Sequence, residues 1–147
     1  MQSVHPYLNF RGDAEQAFEL YRNVFGTEPL GLLRFRDFAD NAMGVSEADL
    51  DKIAHFALPL APGVNLMGSD VVGEDAAAFV PGNNNYIYLE ADSAEEAQRL
   101  FEALSDGGRI EMPLMGTDWA EQYGVCNDPF GVHWMVAYTG DVEFELG

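Results

Sequence analysis

The chain has 147 residues and a formal net charge of −18, from 25 acidic against seven basic side chains. A field of that sign repels phosphate backbones and anionic headgroups, so nucleic-acid partners and polybasic membrane binding are excluded. Apolar residues make up 48% and aromatics 12%, enough to bury a core, so a disordered chain is excluded too. Cys126 is the single cysteine and can form no intramolecular disulfide. The opening Met1-Gln2-Ser3-Val4-His5-Pro6 lacks the basic and apolar regions of a signal peptide. No apolar run approaches the roughly 20 residues of a membrane span, and a soluble cytoplasmic protein is expected.

Residues 4–10 predict a short strand, with Pro6 near its start or on an edge. Arg11-Gly12 turns the chain, and Asp13 followed by Gln16 makes a capping-box pattern. Ala17, Leu20, Tyr21, Val24 and Phe25 recur at helical spacing until Gly26 ends the helix. Residues 30–36 predict a strand. Residues 37–51, with Asp37, Asp40, Glu47, Asp49 and Asp51 around Gly44, predict a mobile acidic loop with a helical turn from Ser46. Strands near 52–60 and 64–69 complete a first half of about 4–70.

The stretch 71–84, with Gly73, Pro81 and Gly82 leading into Asn83-Asn84-Asn85, reads as a linker. A second half, about 85–138, restarts with Tyr86-Ile87-Tyr88-Leu89-Glu90-Ala91. Ser93 with Glu96 is another capping box, and Ala94, Ala97, Leu100, Phe101 and Leu104 give the following helix its apolar face. Gly107-Gly108 stops that helix. Strands near 109–114, 120–126 and 132–138 follow, with Asp128-Pro129-Phe130-Gly131 turning between the last two. The tail 139–147, carrying Asp141, Glu143 and Glu145, is expected to be loosely held.

The two halves echo one another. Asp13-Ala14-Glu15-Gln16-Ala17-Phe18-Glu19-Leu20-Tyr21 returns 80 positions later as Ser93-Ala94-Glu95-Glu96-Ala97-Gln98-Arg99-Leu100-Phe101. Gly63-Val64-Asn65-Leu66-Met67 returns 68 positions later as Gly131-Val132-His133-Trp134-Met135. The predicted architecture is therefore a single α+β domain made of two βαβββ repeats.

That doubled unit resembles the vicinal-oxygen-chelate superfamily of glyoxalases, bleomycin-resistance proteins and dioxygenases. Within it the chain is most similar to the PhnB-like branch. The similarity is carried by Pro6-Tyr7-Leu8-Asn9-Phe10, Ile53-Ala54-His55 and Met67-Gly68-Ser69-Asp70. It continues through Trp119-Ala120-x-x-Tyr123-Gly124 and Asp128-x-Phe130-Gly131-Val132-x-Trp134-Met135. The resemblance implies a pair of half-barrels, often assembled as a homodimer. It also implies a divalent metal held by His and Glu side chains on the first and last strands of each half. Those positions fall near His5 (or Pro6) and Tyr86, and at Met67 and Met135. Thioethers replace carboxylates there, so no metal and no other cofactor is expected.

What is expected instead is a small-molecule cleft of unassigned substrate. Tyr7, Met67, Trp119, Tyr123 and Met135 would line it, with His5, His55 and Asn65 as polar anchors. The enzymatic alternative is a metal- or His-dependent lyase, isomerase or dioxygenase. In it His55 would act as general base, oriented by Asp118 or Asp70, with Glu111 and Glu121 as further carboxylates. A third reading is a dimeric scaffold whose cleft is filled by its own side chains. His133, facing away from Trp134, reads as a hydrogen-bonded structural histidine, and Cys126 as a buried, inert thiol.

Overall fold

A computed structural model of the protein describes residues 1–144. The chain divides into two compact units, Met1–Val80 and a second that begins at Pro81. The first unit runs β1 (Tyr7–Phe10), α1 (Ala14–Phe25), β2 (Gly31–Arg34), β3 (Ile53–Ala61), β4 (Val64–Asp70) and α2 (Gly73–Ala78). The second runs β5 (Ile87–Glu90), α3 (Ala94–Ser105), β6 (Arg109–Met115), β7 (Gln122–Asn127) and β8 (His133–Tyr138). Each unit folds one four-stranded mixed sheet, in the orders β1-β4-β3-β2 and β5-β8-β7-β6. In each, the first strand runs parallel to the last and the other pairings are antiparallel. These are two α+β half-barrel modules of the same topology.

The repeat survives as register. Ala57 and Tyr7 flank Met67 in one sheet, and Val125 and Tyr88 flank Met135 in the other. Leu66 and Trp134, equivalent by the 68-residue offset, are both fully buried. Strand alternation explains this: Leu66, Gly68 and Asp70 point into the core of the first unit while Asn65, Met67 and Ser69 stay half-buried on the other face. Each sheet buries one face under its own helix. Phe18 of α1 packs on Phe56 of β3, with ring centroids 5.2 Å apart, and Leu100, Phe101 and Leu104 form the buried stripe of α3.

Close packing leaves gaps that glycine must fill. A Cβ on Gly68 would lie 2.6 Å from the Phe56 ring, and one on Gly124 would lie 2.8 Å from the Phe101 ring. Gly68 pairs with Phe56 across β3 and β4, and Gly124 pairs with Val136 across β7 and β8. The two units thus make room for a large aromatic side chain at different points of one plan.

Several local expectations are corrected. Asp13 occupies the N-cap of α1 but its side chain makes no cap bond, because φ −112° and ψ 19° are not the extended conformation that aims a carboxylate at the first turn. Asp70, from the end of β4, does the work: Oδ1 accepts from the N–H groups of Gly12 (2.8 Å) and Ala14 (3.0 Å). Its Oδ2 accepts from Ile53 N–H at 2.9 Å. Ser93, which is extended, caps α3 as expected, with Oγ accepting from Glu96 N–H at 3.0 Å, while Glu96 accepts from Asp92 N–H. The first strand starts at Tyr7, and the second ends at Arg34, where Phe35–Asp37 tightens into a 3₁₀ turn.

The acidic loop is organised by further 3₁₀ turns at Ala39–Asn41 and Glu47–Asp49. Ion pairs Arg34–Glu15 (2.6 Å), Arg36–Asp51 (2.8 Å) and Lys52–Asp49 (2.6 Å) hold its ends. The stretch read as a linker contains α2, and Arg11 donates to Phe79 O just beyond it. The start of the tail is fastened rather than loose. Glu90 accepts from both Thr139 N and Thr139 Oγ1 at 2.7 Å, and Glu121 accepts from Asp141 N at 3.0 Å. Glu145 lies outside the described residues.

Asp70 is 4% exposed and joins three segments through backbone donors. Replacing it with alanine orphans those donors, at about 1–3 kcal/mol for each one left unpaired. We expect Asp70→Ala to lose at least about 2 kcal/mol of stability, measured as a lowered urea midpoint at unchanged slope.

Candidate functional site

The residues singled out in the sequence fall into a group in each unit. In the first, Tyr7 sits opposite Met67 and its hydroxyl lies 3.2 Å from His55 Nδ1, with the two rings stacked 5.7 Å apart. His5 Nδ1 accepts from Asn65 N–H at 3.0 Å. The polar partner of His55 is therefore a phenol. Asp70, weighed as its carboxylate, is occupied by backbone donors. In the second unit, Trp119 meets Tyr123 edge-on at 5.3 Å and Phe144 at 6.5 Å, and Met135 lies opposite Tyr88. Tyr123 and Met135 share a sheet face by register. Asp118 is exposed in the loop before β7, and among the described residues its side chain has no hydrogen-bond partner.

The expected metal-ligand positions are His5 (or Pro6) and Tyr86 on the first strands and Met67 and Met135 on the last, where Met67 stands opposite Tyr7 and Met135 opposite Tyr88. Of the imidazoles nearby, His5 accepts from Asn65 N–H through Nδ1, His55 lies against the Tyr7 hydroxyl and His133 against Glu111. Phenol and thioether donors do not fit the hard or borderline divalent ions that carboxylate and imidazole hold. Among the described residues no three His, Cys, Asp or Glu side chains come together to hold a metal.

The best-formed polar constellation lies elsewhere, inside the second unit. A cavity of about 670 Å³ is lined by Asn83, Tyr86, Arg109, Ile110, Glu111, Asn127 and His133. Its floor is a cross-strand row: Arg109 of β6 faces Asn127 of β7, which faces His133 of β8. Glu111 enters through an irregularity. Ile110 pairs with Cys126 and Met112 with Val125, so Glu111 is an extra residue in β6 with no partner across the ladder. Such a bulge breaks the two-residue alternation and re-aims side chains. Three consecutive residues, Arg109, Ile110 and Glu111, reach the same cavity as a result.

The re-aimed carboxylate ties the site together. Tyr86 O–H donates to Glu111 Oε2 at 2.8 Å, and His133 Nδ1 lies 3.3 Å from Glu111 Oε1. The Tyr86 and His133 rings meet edge-on at 5.1 Å, and the Arg109 guanidinium approaches Glu111 to 4.0 Å. The Tyr86 hydrogen bond, then His133 beside it, holds the Glu111 carboxyl below its ordinary value of 4.5, while the carboxylate pushes the Tyr86 phenol above 10.0. Asn127 Oδ1, in the middle of the row, is buried without a hydrogen-bond partner. Behind the row, Cys126 is fully buried and its thiol is pushed up to about 12, mainly by loss of solvent, so it is not a nucleophile.

Sequence reasoning named Tyr86, Glu111 and His133 only in other roles and passed over Arg109 and Asn127. The 68-residue repeat pairs His133 with Asn65, a signal that this strand position is polar in both halves. Nothing in Arg109-Ile110-Glu111-Met112 announces a bulge.

Fold and sequence now meet known proteins. The glyoxalase/bleomycin resistance protein/dioxygenase superfamily model matches residues 3–136, and the chain belongs to that superfamily. It is 32% identical over 144 residues to protein YjdN of Escherichia coli (strain K12), covering 90% of this chain and 92% of the relative. The crystal structure of protein PA1353 from Pseudomonas aeruginosa superposes with a TM-score of 0.81 at 35% identity, covering 94% of this chain and 98% of that one. A PhnB protein from Bacillus cereus superposes with a TM-score of 0.69 at 27% identity, covering 93% and 99%. Within the superfamily the chain sits in the PhnB-like branch. No helix among its described residues is long and apolar enough to cross a membrane.

The lowered Glu111 value makes a sign-specific prediction. A carboxyl depressed on folding contributes stability above its unfolded value of 4.5 and loses it as pH falls through the lower folded value. The melting-temperature gap between the wild type and Glu111→Gln should be constant near neutrality and close as pH falls below 4.5 through the lowered folded value, beyond which the carboxyl is protonated in both states. A gap that widens on acidification would contradict the Tyr86–Glu111–His133 bonds.

Proposed function

We propose that this protein binds a small polar molecule without the help of a metal ion, in the cavity of its second unit. One observation carries the reading: the bulge at Glu111 brings three neighbouring side chains into a cavity and builds the Tyr86–Glu111–His133 cluster there. The cavity volume, about 670 Å³, suits a ligand of drug-like size. Arg109 offers donors, Glu111 and Asn127 offer acceptors, and Ile110 with the Tyr86 ring offers apolar contact. A ligand N–H or O–H would give Asn127 Oδ1 the partner it lacks. The Tyr7–His55–Met67 and Trp119–Tyr123–Met135 groups remain as aromatic and thioether contact surfaces.

The thioethers of Met67 and Met135 at the last-strand positions support a metal-free mode of action. Protein purified without chelator should contain less than about a tenth of an equivalent of any first-row transition metal by elemental analysis. A stoichiometric metal would sink this part of the reading. Ligand binding is tested by an NMR screen of small amide, amine and hydroxy-acid fragments. Hits should shift the signals of Tyr86, Glu111, Asn127 and His133 and should be lost in Tyr86→Ala. Hits that map instead to Trp119 and Tyr123 would move the site.

The same reading places the protein in the cytoplasm as a homodimer, on the pattern of its superfamily. Light scattering in solution should return about twice 16.2 kDa, and a clean monomer would refute the dimer.

A further inference from the structure

We infer that the cavity of the second unit selects small zwitterions, with a free α-amino acid as the ligand class. Arg109 takes the carboxylate, and Asn127 with Glu111 takes the ammonium group. The inference rests on the ligand-binding reading above and deepens it by naming what the site recognises.

Two charges of opposite sign are held at one cavity without neutralising one another. The Arg109 guanidinium approaches Glu111 Oε1 only to 4.0 Å, beyond hydrogen-bond distance, and makes no hydrogen bond among the described residues. Its side chain is 74% exposed, so its five donors are open to a ligand. The arginine of the matching edge strand in the first unit is spent instead. Arg34 donates twice to Glu15, at 2.6 and 2.9 Å, and once to Asp51 O at 2.7 Å. An open planar guanidinium suits bidentate recognition of a carboxylate.

Glu111 is tied down on the other side. Tyr86 O–H occupies Oε2 and His133 Nδ1 lies against Oε1, so the carboxylate is kept from swinging out to close the pair with Arg109. Each of its oxygens keeps a further lone pair for a donor. Asn127 stands between Arg109 and His133 in the cross-strand row, and its Oδ1 is buried with no hydrogen-bond partner. Such an acceptor costs free energy until a donor arrives, and an ammonium group carries three. Adjacent strands lie about 4.8 Å apart, a separation that two groups on one carbon bridge through a hydrogen bond at each end.

Charge argues against ligands of a single sign. A bare anion drawn to Arg109 would meet Glu111 and a chain of net charge −18. A bare cation drawn to Glu111 would meet Arg109. A zwitterion is neutral overall and satisfies both. Ile110 and the Tyr86 ring, which line the same cavity, give its side chain apolar contact.

The test varies charge at nearly constant shape. L-phenylalanine, 3-phenylpropanoate and 2-phenylethylamine are each titrated against ¹⁵N-labelled protein. L-phenylalanine should bind at least about tenfold tighter than either single-charge analogue and should shift the signals of Asn127 and His133. Arg109→Met changes an exposed side chain and leaves the core under α3 intact. It should cost L-phenylalanine and 3-phenylpropanoate about tenfold without weakening 2-phenylethylamine. Equal affinities across the series, or unchanged L-phenylalanine binding in Arg109→Met, would overturn the zwitterion assignment. The ligand-binding reading would survive that result as long as neutral amide fragments still shift Tyr86 and His133. A cavity that neither this series nor those fragments enter would end both.

Discussion

The Asp128 carboxylate is the fixed point of the second unit. It is 3% exposed and accepts from Phe130 N–H, Val132 N–H and the Trp134 indole, while its own N–H reaches Val132 O. These bonds close the turn between β7 and β8 and set the register that places Asn127 beside His133. A carboxylate so buried is costly unless its lone pairs are filled, and here backbone and indole donors fill them. The site's geometry is inherited from this turn: a slip of one residue would send His133 to the helix side and Trp134 into the cavity. Asp70 plays the matching part in the first unit, where it joins β4 to β3 and to the entrance of α1.

Around these anchors the two units share a plan but differ in chemistry. Leu66 and Trp134 hold equivalent core positions, and Asn65 and His133 equivalent half-buried ones. Their edge strands diverge most. β2 reads Gly31-Leu32-Leu33-Arg34 and offers no carboxylate, whereas β6 brings Arg109 and Glu111 to its neighbours. The first unit accordingly ends with a phenol–imidazole contact, and the second with a phenol–carboxylate–imidazole chain. The acid in the middle polarises both neighbours, which a neutral hydroxyl does weakly.

Much of the fold was legible because hydrophobic period and repeat offset agree. The helices from Ala14 and Ala94 and the strands around Met67 and Met135 follow from them, and the resemblance carried by motifs such as Pro6-Tyr7-Leu8-Asn9-Phe10 pointed to the superfamily. Contacts made at long range were not. Asp70 caps a helix that begins 56 residues earlier, and a local pattern at Asp13 and Gln16 gave the wrong donor–acceptor pairing. Of the site, the last-strand face was readable from alternation. The bulge was not, since one extra residue in an exposed edge strand changes neither composition nor hydrophobic pattern.

That extra residue has a consequence for how such a site can arise. β6 is an edge strand whose residues are mostly exposed, including Ile110, Met112 and Met115. An insertion there disturbs one ladder and leaves the core under α3 untouched. Duplicated modules are usually pictured as diverging by substitution at matched positions. Here a change in length at a sheet margin would suffice to give one copy a carboxylate-centred cluster that the other lacks, and its reversal would remove that cluster without unfolding the copy.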